Sequence, residues 1–400
     1  MRVGNMKNNT PQNTESIYIN PKAAIAVLVT FVLLVGCLIP MFVGLAMDAF
    51  GGGDVEVSDG GSKSNKDKTT QGEKDKPVSV TSKAGEKTGI VLPSPTKAGT
   101  YLSANGEGTV DISGDTEIKS AAAVLVDITD NVTVAGKAAD TKIYPASMTK
   151  VMTLLVACEN ARDPNALLSL TDEMISKYNS AANSGASLAF AWENGYQITV
   201  EDVLHMIIYG SDTYACWLIA DYVAGSEEAF VNMMNQRASE LGLSNTHFAN
   251  CTGLYNTEHY TTCRDMAAIM AAAMNNEAAT AVLGRADHYK VDIYKYGEKT
   301  DTQQGMYAAW YSRFFNHGYS NSAWYYAGKG SDIKFVGGKT GYEDVPMNCF
   351  VTAGINDITG RRYVCVQVGR VDNTQASINA STSTYDTRVI YQKYAKENDE

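Results

Sequence analysis

Residues 144–159 read Tyr144-Pro145-Ala146-Ser147-Met148-Thr149-Lys150 and then VMTLLVACE, and the fold is decided here. Pro145 suits the first position of a helix, where its missing N–H is no loss. From Met148 to Cys158 the residues are almost wholly apolar, which predicts a buried helix. Ser147 stands in its first turn, and Lys150, three residues on, shares its face. A serine hydroxyl is a weak nucleophile without a base beside it. A lysine amine is such a base only when neutral, and burial or a neighbouring cation lowers its pKa. The positive end of a helix also favours the alkoxide that forms. A Ser–Lys pair here therefore has a chemical use. The plainer alternative is a capping Ser and a Lys whose head reaches solvent.

Upstream, Ala121–Ile128 (AAAVLVDI) is a short apolar run that reads as a buried strand. Asp130-Asn131 makes a turn, and Val132–Ala135 is the partner strand. Downstream, Val200–Ile208 reads as a helix that Tyr209-Gly210-Ser211-Asp212-Thr213 breaks, before Tyr214–Val223 resumes a helical pattern. Ser211 thus stands on a loop between helices, where a side chain projects into a cleft; a capping role for Ser211 or Asp212 is the alternative. Further on, Phe335-Val336-Gly337-Gly338-Lys339-Thr340-Gly341 precedes the strand-like Cys349–Ala353 and Tyr363–Val368. Lys339 then lies on a strand whose glycines admit close approach of a ligand or another backbone. An edge strand with an exposed Lys is the alternative.

Taken in order, Ser147-x-x-Lys150, Ser211-x-Thr213 and Lys339-Thr340-Gly341 resemble the penicillin-recognising serine peptidases, whose signature is S-x-x-K, S-x-N and K-T-G. The resemblance is strongest to the low-molecular-weight D-alanyl-D-alanine carboxypeptidases. YPASMTKVMT (144–153), FVNMMNQRASELGLSNTHFANCTGLYNTEH (230–259) and GGKTGY (337–342) carry it, and it covers roughly residues 118–395. It implies an α+β fold of the β-lactamase and transpeptidase kind, an antiparallel sheet flanked by helices plus a mostly helical lobe. It also implies a serine hydrolase that needs no metal or cofactor. Ser147 would attack the carbonyl of the penultimate D-Ala of a peptidoglycan stem peptide, with Lys150 as base and Ser211 relaying a proton. Thr213, Lys339, Thr340, Gly341 and Tyr342 would bind substrate, and Lys339 would lower the pKa of Lys150. Backbone N–H groups of Ser147 and Tyr342 would form the oxyanion hole. β-Lactams would acylate the same serine.

Thr213 departs from the family pattern, which has an amide there. A catalytically weak wall-binding or β-lactam-sensing module is therefore the rival reading. A β-lactamase is a further rival, but Glu240-Leu241-Gly242-Leu243-Ser244 lacks the Asn of that class's Glu-x-x-Leu-Asn turn. The 128 residues from Ser211 to Lys339 are long for the fold, and the excess falls in a Tyr/Trp-rich stretch at 289–329. The sequence ends after a helix-like Thr384–Lys396, where many relatives have a β-rich second domain.

The amino-terminal region has a different character. Residues 23–47 (AAIAVLVTFVLLVGCLIPMFVGLAM) hold 25 residues without a charge, and about 20 suffice to cross a bilayer. Arg2 and Lys22 precede them, and Asp48, Asp54 and Glu56 follow. The expected arrangement is a cytoplasmic tail (1–22), a signal anchor (23–47) and an outward-facing remainder. A cleaved signal peptide is the alternative, although its apolar core spans only about 7–15 residues. Residues 48–116, rich in Gly, Ser, Thr, Lys and Asp up to about Thr100, read as a flexible linker, and 117–400 as the catalytic domain. The linker also contains Ser94-Pro95-Thr96-Lys97 and Lys87-Thr88-Gly89, which imitate two of the motifs in the wrong order.

Net charge is −11, and the first hundred residues carry +2 (eleven Lys and Arg against nine Asp and Glu), so the last three hundred carry −13. An acidic body argues against nucleic acid as a partner. The seven cysteines form no C-x-x-C pair, which leaves zinc and redox readings without support. Only Cys251 and Cys263 lie near enough along a loop to suggest a disulfide, with buried free thiols as the alternative.

Overall fold

A computed structural model describes residues 89–96, 109–169, 193–284, 289–306, 331–343, 347–371 and 380–395, with single positions at 174, 176 and 327. The chain divides into two units at Lys76 and Pro77, and all described residues belong to the second. The apolar run 23–47 lies outside the described residues, among which no helix is long and apolar enough to cross a membrane.

The hairpin expected around Asp130-Asn131 forms as β2 (Ala122–Asp127) and β3 (Val132–Lys137). Asn131 turns the chain at φ +58°, a conformation its short amide side chain tolerates better than most. A 3₁₀ turn (Ala146–Thr149) then runs into α1 (Lys150–Asn160), buried from Lys150 to Cys158 as its apolar sequence requires. Around α1 gather α2 (Val200–Tyr209), α3 (Thr213–Ala224), α4 (Glu227–Glu240), α5 (Cys263–Met274) and α6 (Glu277–Leu283), each packed against it. Thr199, Asp212, Ser226, Thr262 and Asn276 each cap the helix that follows by accepting a backbone N–H in its first turn. This is the helical lobe, with the Ser–Lys helix at its centre.

The main sheet has the order β1-β3-β2-β10-β9-β8, where β1 is Val110–Asp111, β8 Ile333–Glu343, β9 Met347–Asn356 and β10 Arg362–Val368. Every pairing is antiparallel except that of β1 with β3. Residues of β2 and β10 are buried along almost their whole length, so both faces of the sheet must be covered. α5 and α7 (Ala380–Tyr394) both pack on β2, β9 and β10. α7 is held at the entrance to β2, where Asp386 accepts hydrogen bonds from the Ser120 backbone N–H and hydroxyl, each at 2.6 Å. β8, which carries Lys339, is an edge strand lying against the 3₁₀ turn.

A second sheet of four antiparallel strands was not expected from the sequence. Its order is β4 (Leu167–Ser169), β5 (Gln197–Thr199), β6 (Tyr289–Lys295) and β7 (Glu298–Met306). The start of the aromatic stretch at 289–329 is thus a hairpin, and most of its remainder lies outside the described residues.

The body also starts earlier than Glu117. Ile90, Leu92 and Ser94 are buried, and the Ser94 N–H donates to the Cys158 carbonyl at 2.7 Å. Ile112 is buried beside β1. Averaged composition hid these few apolar side chains within a polar stretch. The Cys251–Cys263 disulfide is not formed; all six described cysteines are buried and free. Cys251 Sγ faces Glu227 at 3.4 Å, while Cys263 opens α5 beside the main sheet.

Candidate active site

Three segments, far apart in sequence, bring their polar side chains together where the helical lobe meets the edge of the main sheet. Ser147 is half-buried in the 3₁₀ turn, and the residue before it, Ala146, takes φ +46°. Such a conformation is costly for a residue with a Cβ and persists where the surroundings enforce it. Lys150 is 1% exposed, and its Nζ lies 3.1 Å from Ser147 Oγ and 2.5 Å from the Thr252 carbonyl oxygen. Burial lowers the pKa of this amine, against the opposing pull of Cys216, Cys251, Asp212 and Glu343. The sequence argument named burial and the neighbouring Lys339 as causes, and burial is the largest. A neutral amine at this position keeps an N–H for Thr252 and turns its lone pair to the Ser147 hydroxyl.

The second segment is the break between α2 and α3. Ser211 stands there at φ +53°, and its Oγ accepts a hydrogen bond from Lys339 Nζ at 2.9 Å. An ammonium only donates, so the hydroxyl hydrogen of Ser211 stays free for another acceptor. The capping role belongs to Asp212, whose Oδ1 accepts the Ala215 N–H at 2.9 Å. Thr213 is the first residue of α3 and is buried.

The third segment is β8. Lys339 is 1% exposed and also donates to the Thr340 carbonyl at 2.7 Å. Thr340 is buried, whereas Tyr342 is 57% exposed. Gly341 lets the strand approach the nucleophile. A Cβ there would lie 2.6 Å from Cys349 Sγ, 3.1 Å from the Ser147 nitrogen and 3.2 Å from Ala146 Cβ. Lys150 and Lys339 also act on one buried thiol, Cys216. Burial drives that thiol up to about 12, and both lysines pull it back. The two lysines therefore share one locus.

A sequence profile described as D-alanyl-D-alanine carboxypeptidase matches residues 109–369. The chain belongs to the D-alanyl-D-alanine carboxypeptidase family. Among its curated relatives, carboxypeptidase DacF of Bacillus subtilis is 35% identical over 173 residues, 43% of this chain and 43% of that protein. DacC of Escherichia coli is 35% identical over 158 residues, 38% of this chain and 39% of that protein. The chain thus spans about two fifths of the length of these relatives. The crystal structure of a Streptomyces DD-transpeptidase covers 70% of this chain and 98% of its own, with a TM-score of 0.56 at 24% identity. Penicillin binding protein 5 of Haemophilus influenzae covers 69% of this chain and 70% of its own, with a TM-score of 0.53 at 19% identity. Both are likenesses of fold, and they agree with the α+β architecture above.

Some contributors to this carboxypeptidase-family site were not singled out from sequence. Residues 249–259 cross directly behind the nucleophile. Thr252 supplies the carbonyl that holds Lys150, and Asn250 Oδ1 fixes the turn by accepting from the N–H groups of Thr252 and Gly253, at 3.1 and 2.8 Å. Gly253 takes φ +84°, and a Cβ there would lie 2.0 Å from the Ala146 carbonyl oxygen. Only glycine fits both demands. The Cys-Thr-Gly-Leu run carried a signal, since a lone Gly in a loop marks a special backbone. A carbonyl ligand to the lysine has none, because any residue supplies one. Among the described residues, no group of three or more His, Cys, Asp or Glu is placed to hold a metal ion.

Proposed function

We propose that this chain is a serine D-alanyl-D-alanine carboxypeptidase that trims the terminal D-Ala from peptidoglycan stem peptides. The observation that carries the reading is the amine of Lys150, almost wholly desolvated and 3.1 Å from the Ser147 hydroxyl. Neutral Lys150 takes the Ser147 proton as Oγ attacks the carbonyl of the penultimate D-Ala. The oxyanion is met by the backbone N–H groups of Ser147 and Tyr342; loss of one such donor typically slows a reaction by about 10²–10³. The tetrahedral intermediate collapses as Ser211 passes its hydroxyl hydrogen to the departing D-Ala nitrogen, and the proton held by Lys150 refills Ser211. Water then attacks the acyl-enzyme as Lys150 accepts its proton, and the bond to Ser147 Oγ breaks as Lys150 returns that proton to the serine, releasing the shortened peptide. Lys339 and Thr340 face the terminal carboxylate of the substrate. A β-lactam acylates Ser147 by opening its ring, so no fragment leaves and the adduct persists.

Residues 23–47 anchor the protein in the cell membrane, with the catalytic domain outside and residues from 48 to about 88 as its tether. The uncharged length and the flanking charges support this arrangement. Alkaline extraction of membranes tests it: the full chain is expected in the pellet and a chain starting at residue 77 in the supernatant.

The decisive experiment incubates the protein with a pentapeptide ending in D-Ala-D-Ala and follows its mass. Loss of one alanine, together with a fluorescent penicillin label absent from Ser147→Ala, is the expected result. An unchanged peptide with no label on folded protein overturns the reading. Rapid turnover of the penicillin points instead to a β-lactamase.

A further inference from the structure

We propose that His259 is a positioning residue for the lysine base, clamping the start of α1 to the loop that holds the other side of the Lys150 amine. The inference rests on the carboxypeptidase reading, in which Lys150 takes the serine proton.

The tautomer of His259 follows from its partners. Nδ1 lies 3.1 Å from the backbone nitrogen of Ala249, and an amide N–H only donates, so Nδ1 carries the lone pair. The ring proton is therefore on Nε2, which donates to Thr149 Oγ1 at 2.8 Å. Both bonds are shielded, because the His259 side chain is 2% exposed and Phe248 packs edge-on against it at 5.6 Å between centroids. Burial, His247 and Lys150 hold the ring's pKa down to about 4, so the ring is neutral at neutral pH.

A buried histidine with two hydrogen bonds is ordinary; what these two bonds join is not. Thr149 is the cap residue of α1 and immediately precedes Lys150, yet its side chain makes no capping bond to the helix. It turns to His259 instead. Ala249 leads into the turn whose Thr252 carbonyl accepts from Lys150 Nζ at 2.5 Å. One ring thus fixes the spacing between the two segments that aim the amine at Ser147. Effective proton transfer requires the base within hydrogen-bond reach, and small displacements are costly.

The test uses the full chain and penicillin acylation, separating the rate of the covalent step from the affinity that precedes it. His259→Leu is expected to slow the covalent step about tenfold or more, leave the preceding affinity within about twofold, and still reach one label per chain. His259→Gln places an amide N–H near the Nε2 position but offers no acceptor to Ala249, so it keeps one bond of the two and is expected to stay slow. His259→Asn retains only the acceptor toward Ala249 and is expected to stay slow. Thr149→Val removes the same bond from its other end and is expected to match His259→Leu, with the double variant no slower than either, since coupled residues are not additive. If His259→Leu does not fold, Thr149→Val carries the test. An unchanged covalent rate in folded His259→Leu or Thr149→Val overturns the proposal, as do additive losses or a wild-type rate in either single-bond variant, Gln or Asn. A wild-type chain that takes no label instead overturns the carboxypeptidase reading itself.

Discussion

Lys150 is the residue on which activity and stability pull in opposite directions. Its folded pKa is lowered by burial, so between that value and 10.5 the unfolded chain binds a proton that the native chain does not. Stability therefore rises with pH across this window, and at neutral pH the buried amine is a cost. Lys150→Met is expected to slow acylation by about 10²–10⁴, the usual worth of a general base. It is also expected to melt at or above the wild-type temperature, with the difference shrinking as pH approaches 10.5; calorimetry over a pH series checks this. Wild-type acylation should fall with acidity as the amine gains its proton. His259 gives a second acid-side signature. Its pKa falls from 6.5 to about 4 on folding, so stability is lost as pH drops through that range, by on the order of 3 kcal/mol. His259→Gln should flatten this part of the stability curve. At this scale the sequence announced Ser147, Lys150, Ser211 and Lys339, because each motif needs its own residue type. It was silent on His259 and on the Thr252 carbonyl, because their roles come only from what stands opposite them.

Between the elements, the seam of β8 with the 3₁₀ turn sets the geometry of the nucleophile. Gly341→Ala forces a methyl group to within 2.6 Å of Cys349 Sγ and against the Ser147 nitrogen. Overpacking of this kind costs about 1–3 kcal/mol. The expected result is a lower unfolding midpoint and an acylation rate that falls by more than the stability loss explains. Thr262→Ala is the contrasting control. It removes the cap of α5, whose Oγ1 accepts the Asp265 N–H at 3.0 Å, and should cost about 1 kcal/mol. Acylation should be far less affected, because the Thr262 side chain bonds the first turn of α5 and not Ser147, Lys150, Ser211 or Lys339. Helices and strands around the motifs were legible, since apolar periodicity and turn residues act locally. The second sheet was not: β5 pairs with β6 across about a hundred residues, and β4 and β5 have three residues each.

For the molecule as a whole, the body extends further toward the amino terminus than its composition suggests. Ile90, Leu92 and Ile112 are buried, and full burial of such a side chain stabilises by about 1.5–3 kcal/mol. A chain starting at residue 77 is expected to match the full catalytic body in urea unfolding, whereas one starting at Glu117 should unfold at clearly lower urea. Equal midpoints would show that this early segment adds nothing. By itself, the sequence determined the residue chemistry, the order of the three motifs and the helices and strands that bear them, since these depend on neighbours along the chain. Only the tertiary structure decided that burial is the largest cause lowering the lysine pKa, that glycines at 253 and 341 leave room behind the nucleophile, and that a histidine ties the two sides of the base. Desolvation and close packing are set by atoms distant in sequence, and no local pattern records them.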